Sequence, residues 1–316
     1  MPSFRFIAMV IVVCLLLVAV GVWFFYAPMP PAAAEPADSR SLTLGGRERS
    51  FAVVRPPDLQ PNAPVLVVLH GSLMNGPQMC SMLGSGFERL ARAHGAVVVY
   101  PTGVEGHFND GRVTASYSAR TLEIDDVGFI RAIVATLDTE LQIDRQRVYA
   151  FGYSNGGHMA MRLATEAPDL VAGIVVANAN VPTPDNMGWK LASGDAAPPV
   201  VLIEGTQDPI NPYAGGRVTI FGFGNRGTVL SAPDSARWFA QRAGLTAEPV
   251  ADTTQSLAGL DVQQQDWGTP PRVRLVTLHG AGHTVAQPDY RFPRFLGATV
   301  LDDRILQAAW RMVDRR

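Results

Sequence analysis

Apolar residues in this chain gather in short, nearly unbroken runs set between longer stretches of helical period. Val65-Leu-Val-Val-Leu69, Val97-Val-Val-Tyr100, Arg147 to Phe151, Gly173-Ile-Val-Val-Ala177, Val200 to Ile203 and Val273 to Leu278 have the form of strands covered on both faces, the pattern of a parallel sheet. Between them, helical spacing predicts Phe87 to His94 (ended by Gly95), Asp126 to Leu141, Asn155 to Ala167 (ended by Pro168), Ser235 to Ala243 (ended by Gly244) and Asp303 to Val313. Strand alternating with helix predicts a single α/β domain with a doubly wound, mostly parallel sheet. Leu42 to Arg55, broken by Gly45-Gly46, predicts an antiparallel hairpin at one sheet edge. Thr183 to Ala197 and Arg217 to Leu230 are polar and glycine-containing, and are expected as loops over the carboxyl ends of the strands, where open sheets bind ligands.

One apolar run is of a different kind. Phe6 to Tyr26 is 21 residues without a charge, and as a helix it would span about 31 Å, close to a bilayer core of about 30 Å. Arg5 precedes it while Glu35 and Asp38 follow, so the positive-inside bias leaves the amino terminus in the cytoplasm and exports the remainder. Its length favours an uncleaved transmembrane anchor, whereas Ala32-Ala33-Ala34 offers the small residues of a signal-peptide cleavage site; both readings stay open. The organisation expected is an anchor or signal helix over 1–26, a Pro/Ala-rich linker over 27–39 and a folded domain over 40–316. The exported part is thus membrane-anchored with its domain outside, or secreted.

A net charge of −2 and 17% charged residues force no basic face, so nucleic acid is not an expected partner. The two cysteines lie far apart, Cys14 in the apolar run and Cys80 in the body, which argues against a structural disulfide within the domain.

The chemistry begins at Gly152-Tyr153-Ser154-Asn155-Gly156, where a predicted strand turns into a predicted helix. A serine on such a turn projects from its backbone into a cleft, and flanking glycines let strand and helix approach. Alone the motif is short enough to arise by chance. Its partners stand further along: Asp208 follows the strand ending at Ile203, with Glu204 as the rival acid, and His283 lies in the glycine loop after Leu278, with His279 as the rival base. The order serine, acid, histidine is that of the α/β-hydrolases. An alcohol needs a base to become a nucleophile, which assigns proton transfer to His283 and the fixing of its tautomer to Asp208. His70-Gly71-Ser72 closes a strand and would supply one half of an oxyanion hole through the backbone of Ser72, the other half coming from the backbone of Asn155. His70 then supports the turn, and His158, four residues after Ser154, is expected to pack in the core. The carboxylates of Glu123-Ile124-Asp125-Asp126 are better explained by helix capping than by a metal, so neither metal nor other cofactor is expected. Tyr153, Tyr213 and Phe223, together with Phe221, Trp189 and Trp267, are candidates for the substrate pocket.

From about Arg49 onward the chain resembles the polyhydroxybutyrate depolymerases, feruloyl esterases and acetylxylan esterases. The resemblance rests on Leu69-His-Gly-Ser72, Asp125-Asp-Val-Gly-Phe129, Gly152-Tyr-Ser-Asn-Gly-Gly157, Gly205-Thr-Gln-Asp-Pro-Ile-Asn-Pro-Tyr213 and Gly280-Ala-Gly-His-Thr284. It implies an α/β-hydrolase fold, a Ser154–Asp208–His283 triad and metal-free hydrolysis of a carboxylic ester through an acyl-enzyme. The implied substrates are short hydroxyalkanoate, feruloyl or acetyl esters, small or oligomeric. An envelope acyltransferase using the same triad, a serine peptidase and a non-catalytic binding protein are the competing readings.

Overall fold

The computed structural model describes residues 4–28, 37–192 and 197–314. Most of the Pro/Ala-rich linker, with Ala32-Ala33-Ala34, and residues 193–196 of the first expected loop lie outside the described residues. Helix α1 (Phe4–Phe25) precedes the edge hairpin β1 (Asp38–Leu44) and β2 (Arg47–Val54). Then come β3 (Val65–Leu69), α2 (Gly76–His94), β4 (Val97–Pro101), α3 (Ser118–Thr121), α4 (Asp126–Leu141), β5 (Val148–Tyr153), α5 (Asn155–Glu166), β6 (Gly173–Ala177) and β7 (Val200–Gly205). A small ribbon, β8 (Gly216–Arg217) with β9 (Thr228–Val229), leads to α6 (Ala232–Arg242), β10 (Ala251–Leu257), β11 (Leu260–Trp267), β12 (Val273–Leu278) and α7 (Arg304–Val313).

The main sheet runs β1-β2-β4-β3-β5-β6-β7-β12-β11-β10. Its central strands, from β4 to β12, pair in parallel, and antiparallel pairs finish both edges. Alternation along each strand feeds two cores. Val65, Val67, Leu69, Ala150, Val176 and Leu202 meet α4, α5 and α6 on one face. Leu66, Val68, Phe151, Val175 and Ile203 meet α2 and α7 on the other. This two-sided burial is why the strands carry unbroken apolar runs.

Several elements differ from the expectation. Helix α2 starts at Gly76, because Asn75 and Gln78 form a reciprocal capping box that offsets the weak propensity of its glycine- and serine-containing first half. Strands β10 and β11 were not expected: their outward residues are Thr, Gln and Asp, so an exposed antiparallel edge pair lacks the apolar signal. The first strand opens at Asp38, two residues inside the expected linker. Helix α1 is apolar and long enough to cross a membrane by length and composition.

One buried ion pair locks the front of the domain. Arg49 of β2 reaches Asp126 at the start of α4 at 2.5 Å, with the two side chains 4% and 0% exposed. Asp126 also accepts the Asn109 amide at 2.6 Å, and the Arg49 guanidinium lies 4.0 Å over the Phe129 ring. Asp125, not Asp126, is the helix N-cap, accepting from the Gly128 amide. Removing one partner strands a desolvated charge: Arg49→Met is expected to cost about 3–5 kcal/mol in urea unfolding. The double variant Arg49→Met/Asp126→Asn should be more stable than Arg49→Met alone, because the charge goes and the acceptor for Asn109 stays.

Candidate active site

The parallel strands deliver their loops to one edge of the sheet. Ser72 follows β3, Ser154 follows β5, Asp208 follows β7 and His283 follows β12, all at carboxyl ends. At the β5–α5 turn Ser154 has φ 55° and ψ −115°, a conformation unfavourable for a residue with a side chain. Packing holds it there. A Cβ on Gly152 would lie 2.1 Å from the Gly156 carbonyl oxygen, and one on Gly156 would lie 2.2 Å from the Leu69 carbonyl oxygen. The Ser154 amide donates to the Ala177 carbonyl at 2.9 Å, and its own carbonyl accepts from the His158 amide at 3.0 Å. Both glycines of the motif are therefore required by how closely β3, β5 and α5 approach.

Asp208 and His283, 75 positions apart, meet at 2.6 Å between Oδ2 and Nδ1, both buried. The other Asp208 oxygen accepts the amides of Ile210 and Asn211 at 2.7 and 2.8 Å, which fixes the carboxylate. His283 is held in turn by its own amide on the Leu296 carbonyl at 2.7 Å and by the Tyr153 hydroxyl, which donates to the His283 carbonyl at 2.8 Å. Ser154 and His283 line one cavity of 410 Å³, of the size that takes a small ligand. Among the described residues no hydrogen bond joins the serine hydroxyl to the imidazole.

The rivals are placed otherwise. Glu204 is buried in β7 and accepts the Ala179 amide at 3.1 Å; desolvation, then the nearby Asp208, push its carboxyl well above the usual range. His279 is exposed at the end of β12. His70 donates from Nδ1 to the Gly71 carbonyl and accepts the Gly103 amide at Nε2, and burial lowers its pKa to about 4. His158 is fully buried with its pKa lowered to about 3, chiefly by desolvation and then by Arg112; its Nδ1 donates to the Ser154 carbonyl at 3.1 Å, so a neutral ring braces the turn.

The cavity wall corrects part of the expected pocket. Tyr153 lines it, as do Ser72 and Phe221, whereas Tyr213 does not: its hydroxyl bonds Thr277 Oγ1 beneath the site. Phe223 stands 80% exposed at the tip of the β8–β9 loop, outside the wall, because that loop turns back after Ile220. Trp189 and Trp267 are buried elsewhere, their indole N–H groups on the Asp110 and Ala247 carbonyls. Met74, Met82, Ile220, Phe292 and Phe295 supply apolar wall, and Arg112, Asn211 and Arg226 supply polar wall. None of these was singled out from the sequence, since they sit in irregular segments where no periodicity marks which side chain turns inward.

Behind the Ser154 turn lies a polar network. Asn155 Nδ2 donates to Asp110 Oδ2 at 2.7 Å and to the Phe108 carbonyl, while its Oδ1 accepts the Phe108 amide. Arg112 grips Asp110 through Nε and Nη2 at 3.0 and 2.7 Å, holding that carboxyl below the usual range despite the opposing effect of burial. With its side chain so committed, Asn155 presents its backbone amide as the first of helix α5, where no preceding turn offers an acceptor.

The chain is 29% identical over 301 residues to a protein of Nocardia uniformis subsp. tsuyamanensis named "Putative esterase NocK", covering 90% of this chain and 83% of that one. It is 26% identical over 226 residues to Feruloyl esterase B of Piromyces equi, covering 70% of this chain and 39% of that longer protein. Among solved structures, an acetyl xylan esterase from Aspergillus awamori superposes with a TM-score of 0.57 at 16% identity, over 78% of this chain and 94% of that one, which shows the fold. The family model described as "Putative esterase" matches residues 41–256, more than half of the chain, and the protein therefore belongs to this esterase family.

Proposed function

We propose that this protein is a serine carboxylic-ester hydrolase in which Ser154 attacks the ester, His283 moves the proton and Asp208 fixes the imidazole. The observation that carries the reading is the 2.6 Å contact of Asp208 with His283 at the rim of the cavity that Ser154 also lines. Asp208 accepts the hydrogen bond of His283 Nδ1–H, which keeps the proton on Nδ1 and leaves Nε2 as the base. Rotation of the serine side chain on substrate binding brings the two together, since such hydrogen bonds are often long before substrate arrives. The tetrahedral oxyanion is received by the backbone amides of Ser72 and Asn155, an interaction of the kind whose single donors are worth about 3–4 kcal/mol elsewhere. His283 then protonates the departing alkoxide, and water repeats the sequence in reverse to free the acid. Asp208 rather than Glu204 is assigned as the acid because it is the carboxylate that touches His283, whereas the Glu204 carboxyl accepts the Ala179 amide and burial raises its pKa.

The substrates proposed are short esters, hydroxyalkanoate, feruloyl or acetyl. The cavity volume and the wall of Met74, Met82, Ile220, Phe221 and Phe295 suit an acyl chain or an aromatic ring of that size. For location, we propose that α1 is retained as an anchor with the domain on the exported side. Its carboxyl end packs on the domain, Phe25 at 5.3 Å from Phe295 and the Arg294 guanidinium 4.6 Å over Trp23.

Ser154→Ala should abolish hydrolysis of p-nitrophenyl acetate and butyrate with thermal unfolding nearly unchanged; retained wild-type turnover would mean another nucleophile. Asp208→Asn should lower kcat about 10⁴-fold through the wrong tautomer, whereas Glu204→Gln should retain most of kcat. Glu204 also makes a stability prediction. Its folded-state pKa is raised, so the folded protein binds the proton more tightly than the unfolded chain, and stability falls as pH climbs from the unfolded value through the folded one. Glu204→Gln should flatten that decline in a series of thermal melts; an unaltered slope would show the carboxyl is not held neutral.

A further inference from the structure

The polar part of the cavity wall holds two arginines, Arg112 and Arg226, with one carboxylate, Asp110, paired to Arg112 among the described residues. Arg226, on the loop between β8 and β9, lines the cavity together with Ser154. Its side chain has one hydrogen bond, from Nη1 to the Gly224 carbonyl of its own loop at 3.3 Å, and its Nε is buried without a partner. Among the described residues it makes no ion pair; its guanidinium lies 5.8 Å over the Tyr117 ring. The neighbouring Arg112, 1% exposed, also lines the cavity, and among the described residues its charge is met by Asp110 alone. Asp110 is shared further, since Asn155 Nδ2 donates to it as well. Within this group two guanidiniums share one carboxylate, leaving one positive charge in excess, while the Asp208 carboxylate is committed to His283. The strain registers on Arg226, whose hold on its proton is weakened first by burial and then by Arg112. Arg112 Nη1 and Asn211 Nδ2, also in the wall residues, are buried donors without acceptors among the described residues, an arrangement that costs free energy unless a ligand supplies acceptors.

We propose that Arg226, supported by Arg112, forms an anion subsite, and that the ester substrates of this enzyme carry a carboxylate or similar negative group lying against it. This deepens the ester-hydrolase reading and rests on it. An uncharged acyl chain would fill the apolar wall and leave the guanidinium without a counter-charge. A carboxylate would accept the planar donors of Arg226 and offset the excess, with the geometry that arginine recognises best. The reaction itself is unaltered: the ester bond breaks at the carbonyl carbon, the alcohol leaves with the proton from His283, and the anionic group takes no part in bond making.

The test uses the full-length protein and matched ester pairs that differ by one negative charge. Mono(4-nitrophenyl) adipate against 4-nitrophenyl hexanoate places the charge on the acyl side, and 4-acetoxybenzoate against its methyl ester places it on the alcohol side. In one pair the anionic member is expected to match or exceed its neutral twin in kcat/KM, which also identifies the side. In that pair Arg226→Gln should lower the anionic-to-neutral ratio tenfold or more, Arg226→Lys should retain most of it, and added salt should erode it. A wild type that rejects the anion in both pairs, or a ratio unmoved by Arg226→Gln, overturns the subsite. Binding of both pairs to Ser154→Ala, monomethyl adipate against methyl hexanoate and 4-acetoxybenzoate against its methyl ester, read by calorimetry, ranks each without turnover; equal affinity within both pairs also overturns it. Wild type inactive on all four esters would instead overturn the hydrolase reading, with the calorimetric ranking still deciding the subsite.

Discussion

The close approach of β3, β5 and α5 at Gly152 and Gly156 is the constraint on which the site depends. Each glycine has a backbone carbonyl where a side chain would begin, so the strand must turn sharply into the helix, and Ser154 must occupy a conformation with positive φ. Holding a side chain there costs of order 1–3 kcal/mol. That cost is met by the amide on Ala177, the His158 brace and the two-faced apolar packing around β5. The gain is positional: the hydroxyl stands at the sheet rim, and the next amide, at the start of α5, is free of helical partners.

Around that turn the parallel sheet acts as an assembler. Neighbouring strands β3, β5, β6, β7 and β12 run in register, so loops distant in sequence leave the same edge within reach of one another. Asp208 and His283 meet because β7 and β12 are adjacent, and both loops are then pinned by backbone amides. Burial sorts the remaining titratable groups: His70 and His158 stay neutral as braces, the Glu204 carboxyl has its pKa pushed up, and Asp110 stays charged between Arg112 and Asn155. The cavity thereby combines an apolar surface with a locally positive one.

What the sequence made legible follows the same physics. Unbroken runs such as Val65 to Leu69 announced doubly covered parallel strands, and Gly152 to Gly156 announced the turn, because burial and steric approach leave residue-level marks. The exposed pair β10–β11 left none, its outward face being Thr, Gln and Asp. The capping box at Asn75 was a local signal that glycine content obscured. The cavity wall was the least legible part. Tyr213 and Phe223 have the right composition and the wrong direction, while Arg112 and Arg226 face the site from irregular segments whose inward side only tertiary structure sets.

The most direct test of the account is covalent. A fluorophosphonate reacts with a hydroxyl only where a base activates it, and peptide mapping by mass spectrometry locates the adduct. The account requires a single adduct on Ser154, formed rapidly in the wild type and far more slowly in His283→Asn. A label on any other residue, or equal labelling rates in the two proteins, would contradict it.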